Sequence, residues 1–301
     1  FALSGAIPAG GTYSDFQGNV INTFNPANAG VGMYIIYYDY TDPQTGCSNY
    51  CYFTITVHPL PVVTCPPNMT VCLDDPAFLL TGATPAGGVY SDIFGVPVVN
   101  FNPAAWAAGL HTIFYDYTDP NTGCSNWCAF TINVLPLPVV TCPQNISVCI
   151  DAAPFLLTGA TPAGGTYSDA FGFPLVNFNP AAWGVGNYTI FYDYTDPVTG
   201  CSNWCSFTIK VNPLPNVTCP PNKGVCIDDA AFLLSGATPA GGVYSDVFGI
   251  PFANFNPAAW GVGLHTIFYD YTDPNTGCSN WCSFTIQVNP IPVVTCPPNM
   301  V

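Results

Sequence analysis

The stretch His111-Thr-Ile-Phe-Tyr-Asp-Tyr-Thr118, Asp119-Pro-Asn-Thr-Gly123, Cys124-Ser-Asn-Trp127-Cys128-Ala-Phe-Thr-Ile-Asn-Val134 decides the fold. Two runs rich in β-branched and aromatic residues flank a short loop of turn formers, which reads as two strands and a hairpin. Asp first, Pro next and Gly last suit a type I turn closed by a residue at positive φ. In the second run Cys128, Phe130, Ile132 and Val134 fall on one face. Trp127, Ala129, Thr131 and Asn133 fall on the other, the period of two of a half-buried strand.

Working outward, the stretch belongs to a repeat. Cys47, Cys124, Cys201 and Cys278 are 77 residues apart, as are Cys51, Cys128, Cys205 and Cys282, and Cys65, Cys142, Cys219 and Cys296. Cys72, Cys149 and Cys226 complete the set. The period never slips, and residues 65–141 differ from 219–295 at only 15 positions, which points to recent duplication of one unit. Pro59-Leu-Pro61, Pro136-Leu-Pro138, Pro213-Leu-Pro215 and Pro290-Ile-Pro292 read as short, stiff connectors. They divide the chain into a partial module 1–58, whole modules 59–135, 136–212 and 213–289, and the start of another at 290–301. Phe1 corresponds to Phe78, in mid-module. Two readings of the ends remain open: a window on a longer chain, or a subunit whose last segment completes a neighbour's first module by strand donation.

Within module 59–135, further strands are expected at 78–81, 89–91 and 96–101, with one helical turn over 102–106. Six or seven short strands in 77 residues predict an all-β fold, a small antiparallel sandwich. A unit this small is near the lower limit for a self-sufficient core, and two disulfides would be the usual remedy. Four cysteines allow three pairings. Cys124 and Cys128 lie about 13 Å apart on a regular strand, too far to bond each other. The favoured reading has Cys65 and Cys72 bonding Cys124 and Cys128, and likewise Cys142 and Cys149 with Cys201 and Cys205, and Cys219 and Cys226 with Cys278 and Cys282. Two local loops, 65–72 and 124–128, are the alternative. The spacings match no common zinc knuckle.

The charge balance excludes several functions. The chain has 2 Lys+Arg against 17 Asp+Glu, a net charge of −15, with 49% hydrophobic and only 6% charged residues. Two cations cannot neutralise a phosphate track, so nucleic acid is excluded, as is a polybasic membrane patch. No apolar run approaches the ~18 residues of a membrane-spanning helix. The chain is rich enough in apolar residues to fold. Catalysis finds no constellation: His111 and His265 share a position held elsewhere by Tyr34 and Tyr188, and His58 is a linker residue. Neither a nucleophile motif nor a phosphate loop is present. The chain does not read as an enzyme, and no cofactor is expected beyond calcium. Asp116 and Asp119, which flank the turn, are the calcium candidates; the alternative is that such aspartates only cap turns. Asn68, Asn145, Asn187 and Asn216 begin Asn-x-Ser/Thr sequons and are glycosylation candidates, although they do not recur with the repeat. So uncharged a surface needs a glycan coat or lateral packing of modules.

The strings Thr84-Pro-Ala-Gly-Gly-Val-Tyr-Ser91, Phe101-Asn-Pro103, Gly109-Leu-His-Thr-Ile-Phe-Tyr115, Gly123-Cys-Ser125 and Phe130-Thr-Ile132 resemble the immunoglobulin-like repeats of large Bacteroidota cell-surface proteins, including repetitive gliding-motility adhesins. The resemblance implies immunoglobulin-like modules, secretion by the type IX route, and a role as stalk, adhesin or fibre. Four cysteines per module and the scarcity of Lys depart from that pattern. The combined expectation is an extracellular or cell-surface structural protein, a tandem array of disulfide-stapled sandwiches. Its partners would be neighbouring modules, copies of itself or glycans, and each module would advance the axis by roughly 30–45 Å. The alternative is an adhesin gripping carbohydrate or a surface through aromatic loops around Trp106 and Trp127.

Overall fold

The computed structural model describes residues 1–296; the last five residues of the expected next-module start at 290–301 lie outside the described residues. The chain divides into two compact units, Phe1–Leu137 and Pro138–Val301, and the division falls inside the Pro136-Leu137-Pro138 step.

In the first unit, residues 59–135 build a two-layer β-sandwich. One sheet has four strands in the order Met69–Cys72, Ser125–Leu135, Gly109–Thr118, Val89–Ser91. The other pairs Phe78–Leu79 with Asn100–Phe101. The fourth and fifth strands of an ordinary sandwich are reduced here to Asn100–Phe101 followed by a single helical turn, Pro103–Trp106. Pro suits the first helical position, because it has no N–H to leave unsatisfied. The hairpin is as expected: Thr118 faces Ser125 and Gly109 faces Val134. The opening strand is a correction to the antiparallel expectation. It runs parallel to the last strand, with Met69 opposite Ile132 and Cys72 opposite Leu135. Last, penultimate and third strands side by side, facing a second sheet made from the strands between, is immunoglobulin-type connectivity with the first strand moved to the edge of the larger sheet.

The period-two pattern becomes the core. Phe130, Ile132 and Val134 are buried against Ile113, Phe101 and Leu80, and these residues bind the two sheets together. Trp106 packs onto Phe101, with ring centroids 4.8 Å apart. In the second unit, residues 136–212 and 213–289 repeat the arrangement around Phe178 and Phe255. The 136–212 sheet gains a fifth, outer strand, Pro174–Leu175.

Residues 1–58 show what the opening strand contributes. Their sheet has three strands, Thr12–Ser14, Gly32–Thr41 and Ser48–Val57, and the outer edge of Ser48–Val57 has no strand beside it among the described residues. Phe53 is 39% exposed there, whereas its equivalent Phe130 is 3% exposed.

Close approach dictates one glycine per repeat. Gly88 donates its N–H to the Tyr115 hydroxyl (2.7 Å), and that hydroxyl donates to the Pro85 carbonyl (2.6 Å). A Cβ on Gly88 would lie 2.4 Å from the Asp116 carbonyl oxygen, so the backbone must yield. Gly88→Ala should lower the stability of this repeat by about 1–3 kcal/mol. Hydrogen exchange of the Gly109–Thr118 amides reads the loss locally.

Candidate functional site: the cysteine network and the turns that present it

Each whole repeat places its cysteines at two separate stations. Cys65 precedes the opening strand and bonds Cys128 in the last strand, with Cα atoms 5.8 Å apart. Cys142–Cys205 and Cys219–Cys282 are the same bond in the second unit, each with a separation of 63 residues.

The second pair does not close inside the repeat, and here the sequence expectation is corrected. Cys149 bonds Cys278 of the following repeat, 129 residues away, rather than Cys201 of its own. Geometry explains why. Cys149 stands opposite Asn212 at the far end of the last strand, whereas Cys201 precedes Ser202 at its beginning. Ten residues of strand separate the two levels by roughly 33 Å, and a disulfide needs Cα atoms within about 7 Å. The local-loop alternative, 65–72 with 124–128, fails on the same bonds. Cys72 and Cys201 are also disulfide-bonded. Cys47, Cys51, Cys124, Cys226 and Cys296 carry free thiols.

The turn that presents the Cys278-type residue is built by its aspartate. Asp119 Oδ1 accepts the Asn121 N–H (2.9 Å) and Oδ2 accepts the Thr122 hydroxyl (3.1 Å). The Asp119 backbone N–H donates to the Cys124 carbonyl (2.9 Å), which closes the loop around the cysteine. Beyond it, Asn126 Nδ2 donates to the Pro61 carbonyl (2.9 Å), so the hairpin holds the proline connector of its own repeat. Asn203 with Pro138 and Asn280 with Pro215 do the same.

This geometry bears on the calcium candidates. Asp119 spends its oxygens on its own turn, the capping role of an Asx turn. Neither it nor Asp116 joins a group of three metal-ligating side chains among the described residues; the group that does form is Cys226, Asp228 and Asp229, all exposed. The four sequon asparagines, Asn68, Asn145, Asn187 and Asn216, are exposed. Asn68 Oδ1 accepts the Thr131 N–H and Asn145 Oδ1 the Thr208 N–H, which ties these two side chains to the last strand.

The tryptophans divide. Trp106, Trp183 and Trp260 pack on the core. Trp127, Trp204 and Trp281 stand on the outer face at 59%, 59% and 58% exposure, each beside a phenylalanine of the neighbouring strand. In residues 1–58 Ala29 takes the place of Trp106. A groove of about 810 Å³ lined by Phe24, Ala29, Tyr34 and Ile36 opens there.

No family model matches the chain. The chain is similar to hyalin from Strongylocentrotus purpuratus, 27% identical over 306 residues, covering 90% of this chain and 25% of that protein. It thus spans about a quarter of the length of that relative. Among solved structures it is similar to Sidekick-1 immunoglobulin domains 1–5 (12% identity, TM-score 0.25, covering 95% of this chain and 75% of that one). Another is the titin I67–I69 three-domain structure (12% identity, TM-score 0.30, covering 74% of this chain and 96% of that one).

Hydrogen bonding to the turn shifts its acid. The Asn121 backbone N–H, followed by the Thr122 and Asn121 side chains, holds the Asp119 carboxyl below the usual carboxylate range. Asp42, Asp196 and Asp273 are lowered in the same way, led by the N–H groups of Gln44, Val198 and Asn275. A depressed folded-state pKa means a contribution present above the unfolded value of about 3.9 and lost as pH falls through the folded one. The Asn121, Val198 and Asn275 amides should therefore keep their exchange protection down to about pH 4 and lose it progressively below. Asp119→Asn should remove that pH dependence at Asn121 alone.

Proposed function

We propose that the chain is an extracellular structural protein, a run of immunoglobulin-like modules covalently laced into a load-bearing fibre or cell-surface stalk. Its domains are 1–58 (partial), 59–135, 136–212 and 213–289, with 290–301 beginning the next. The observation that carries this reading is the Cys149–Cys278 bond, which joins consecutive repeats independently of the peptide chain. A bond inside a module protects that module; a bond between modules fixes their relative placement and lets tension bypass the chain between them. Identical repeats with identical linkages apply the same rotation and translation at every step, which generates a regular rod or helix. Disulfides of this density belong to oxidising compartments, which supports a reading outside the cell. Its similarity to hyalin, a protein four times the length of the matched span, is consistent with a long extracellular array. The excess of Asp keeps parallel fibres apart at low salt.

A second reading rests on the exposed indoles. Trp127, Trp204 and Trp281 recur every 77 residues on the sheet face, each beside an aromatic neighbour, and would serve an adhesin that binds carbohydrate faces.

Electron microscopy of the native material with helical averaging separates the two. The structural reading expects a continuous filament whose axial repeat is one module. Separate flexible beads with no regular axis would favour the adhesin stalk.

A further inference from the structure

The five free thiols obey one rule. Every disulfide with both partners placed spans either 63 or 129 residues. Apply those two spacings to Cys47, Cys51, Cys124, Cys226 and Cys296, and each partner falls outside residues 1–301. By position, Cys47, Cys124 and Cys226 are of the type that bonds another repeat, whereas Cys51 and Cys296 are of the type that closes a repeat on itself. We infer that Cys226 and Cys296 on one side, and Cys47 and Cys51 on the other, are the complementary halves of a head-to-tail junction between runs of this repeat. Cys226 takes the Cys47-type thiol, as Cys149 takes Cys278. Cys296 takes the Cys51-type thiol, as Cys142 takes Cys205. The inference rests on the array reading above and names its linkage chemistry.

One register satisfies both bonds, because the four positions carry the same 77-residue spacing. The receiving surface is in place. Ser48–Val57, the strand that carries Cys51, has an outer edge with no strand beside it among the described residues, and Phe53 is exposed there where Phe130 is buried. In the whole repeats the opening strand covers that edge in parallel, and the residue preceding it, Asn68, accepts from the Thr131 N–H. Thr54 is the equivalent of Thr131, so a docked opening strand would bring it such an acceptor. Burial follows the same logic: Cys278, whose partner repeat is present, is 0% exposed, whereas Cys47 is exposed. The grouping of Cys226 with Asp228 and Asp229 does not compete as a metal site of the repeat. At the equivalent place Cys149 is in a disulfide, and Ala152 replaces the third donor.

Each junction bond joins two thiols, releasing two protons and passing two electrons to a disulfide oxidant, such as oxidised glutathione, which leaves as two thiols. The partner repeat has two sources, a second copy of the chain or further repeats of a longer one, and Cys124 distinguishes them. In a junction of two 301-residue copies its 129-residue partner is absent from both, so its thiol stays free; in a longer chain it is bonded.

The experiment oxidises the 301-residue chain in a glutathione buffer, alkylates it, and runs it without reductant before disulfide mapping of chymotryptic peptides. The expected result is a ladder of covalent multiples with Cys226 mapped to Cys47, Cys296 mapped to Cys51, and Cys124 alkylated. The ladder should be lost in the Cys226→Ser/Cys296→Ser double variant, with the Cys142–Cys205 and Cys149–Cys278 bonds intact as proof of folding. A chain that stays monomeric with all four thiols alkylated, or that scrambles Cys226 onto Cys226, would overturn the inference. Mapping of native material adds the source: bonded Cys124 assigns the junction to a longer chain. Flexible beads in the microscope with the mapped bonds present would remove the rigid-fibre reading and leave the junction standing.

Discussion

Cys149 sits at the exit end of one sandwich and Cys278 in the turn at the entry end of the next sandwich's hairpin, and the bond between them gives these two consecutive repeats a second covalent connection besides the peptide chain. A small sandwich has a limited core, here a cluster of six or seven buried side chains in each whole repeat. Such a core resists unfolding only modestly by itself. The 63-residue bond closes a long loop within each repeat and removes much of the entropy its unfolded chain would gain. The 129-residue bond does the same for two repeats at once. It also demands that the turn presenting the cysteine hold its shape, which explains the Asp119, Asp196 and Asp273 hydrogen bonds in every copy.

The remainder of each repeat supports this bond. The last strand carries the core face, the intramodule cysteine and the asparagine that holds the proline connector, so strand, staple and linker share one rigid element. The opening strand delivers the outgoing cysteine by pairing in parallel beside it. With only two Lys in the chain, one of which lies 3.7 Å over the Phe232 ring, ion pairs contribute little. Covalent bonds and apolar burial take their place.

The hairpin was fully legible in the sequence, because turn residues and a period of two are local signals: Gly109–Thr118 and Ser125–Leu135 extend the expected strands by only one or two residues. The helical turn at Pro103–Trp106 was also local, but the sequence grouped Trp106 with Trp127 in aromatic loops, whereas the fold packs Trp106 on the core. The direction of the opening strand was not legible, since four residues carry no signal for parallel against antiparallel pairing. The second disulfide was missed for a different reason: four cysteines per repeat invite pairing within the repeat. The signal that would have corrected this was present. Once Cys72 is placed beside the end of the last strand and Cys124 at its beginning, the length of that strand separates them. The capping role of Asp119 was named in the sequence as the alternative to calcium, and its hydrogen bonds fit that alternative.

Pulling on a single chain tests the lacing most directly. With Cys149–Cys278 closed, the covalent path from Cys142 to Cys282 contains only the segments 142–149 and 278–282. Its full extension is about 40 Å, against roughly 480 Å for the same span reduced. Force–extension traces of the oxidised chain should therefore show no release from this span longer than about 40 Å, and reductant should restore module-length steps of hundreds of ångströms. Module-length steps from residues 142–282 in the oxidised chain would contradict the account, because they would mean that tension runs through these repeats instead of past them.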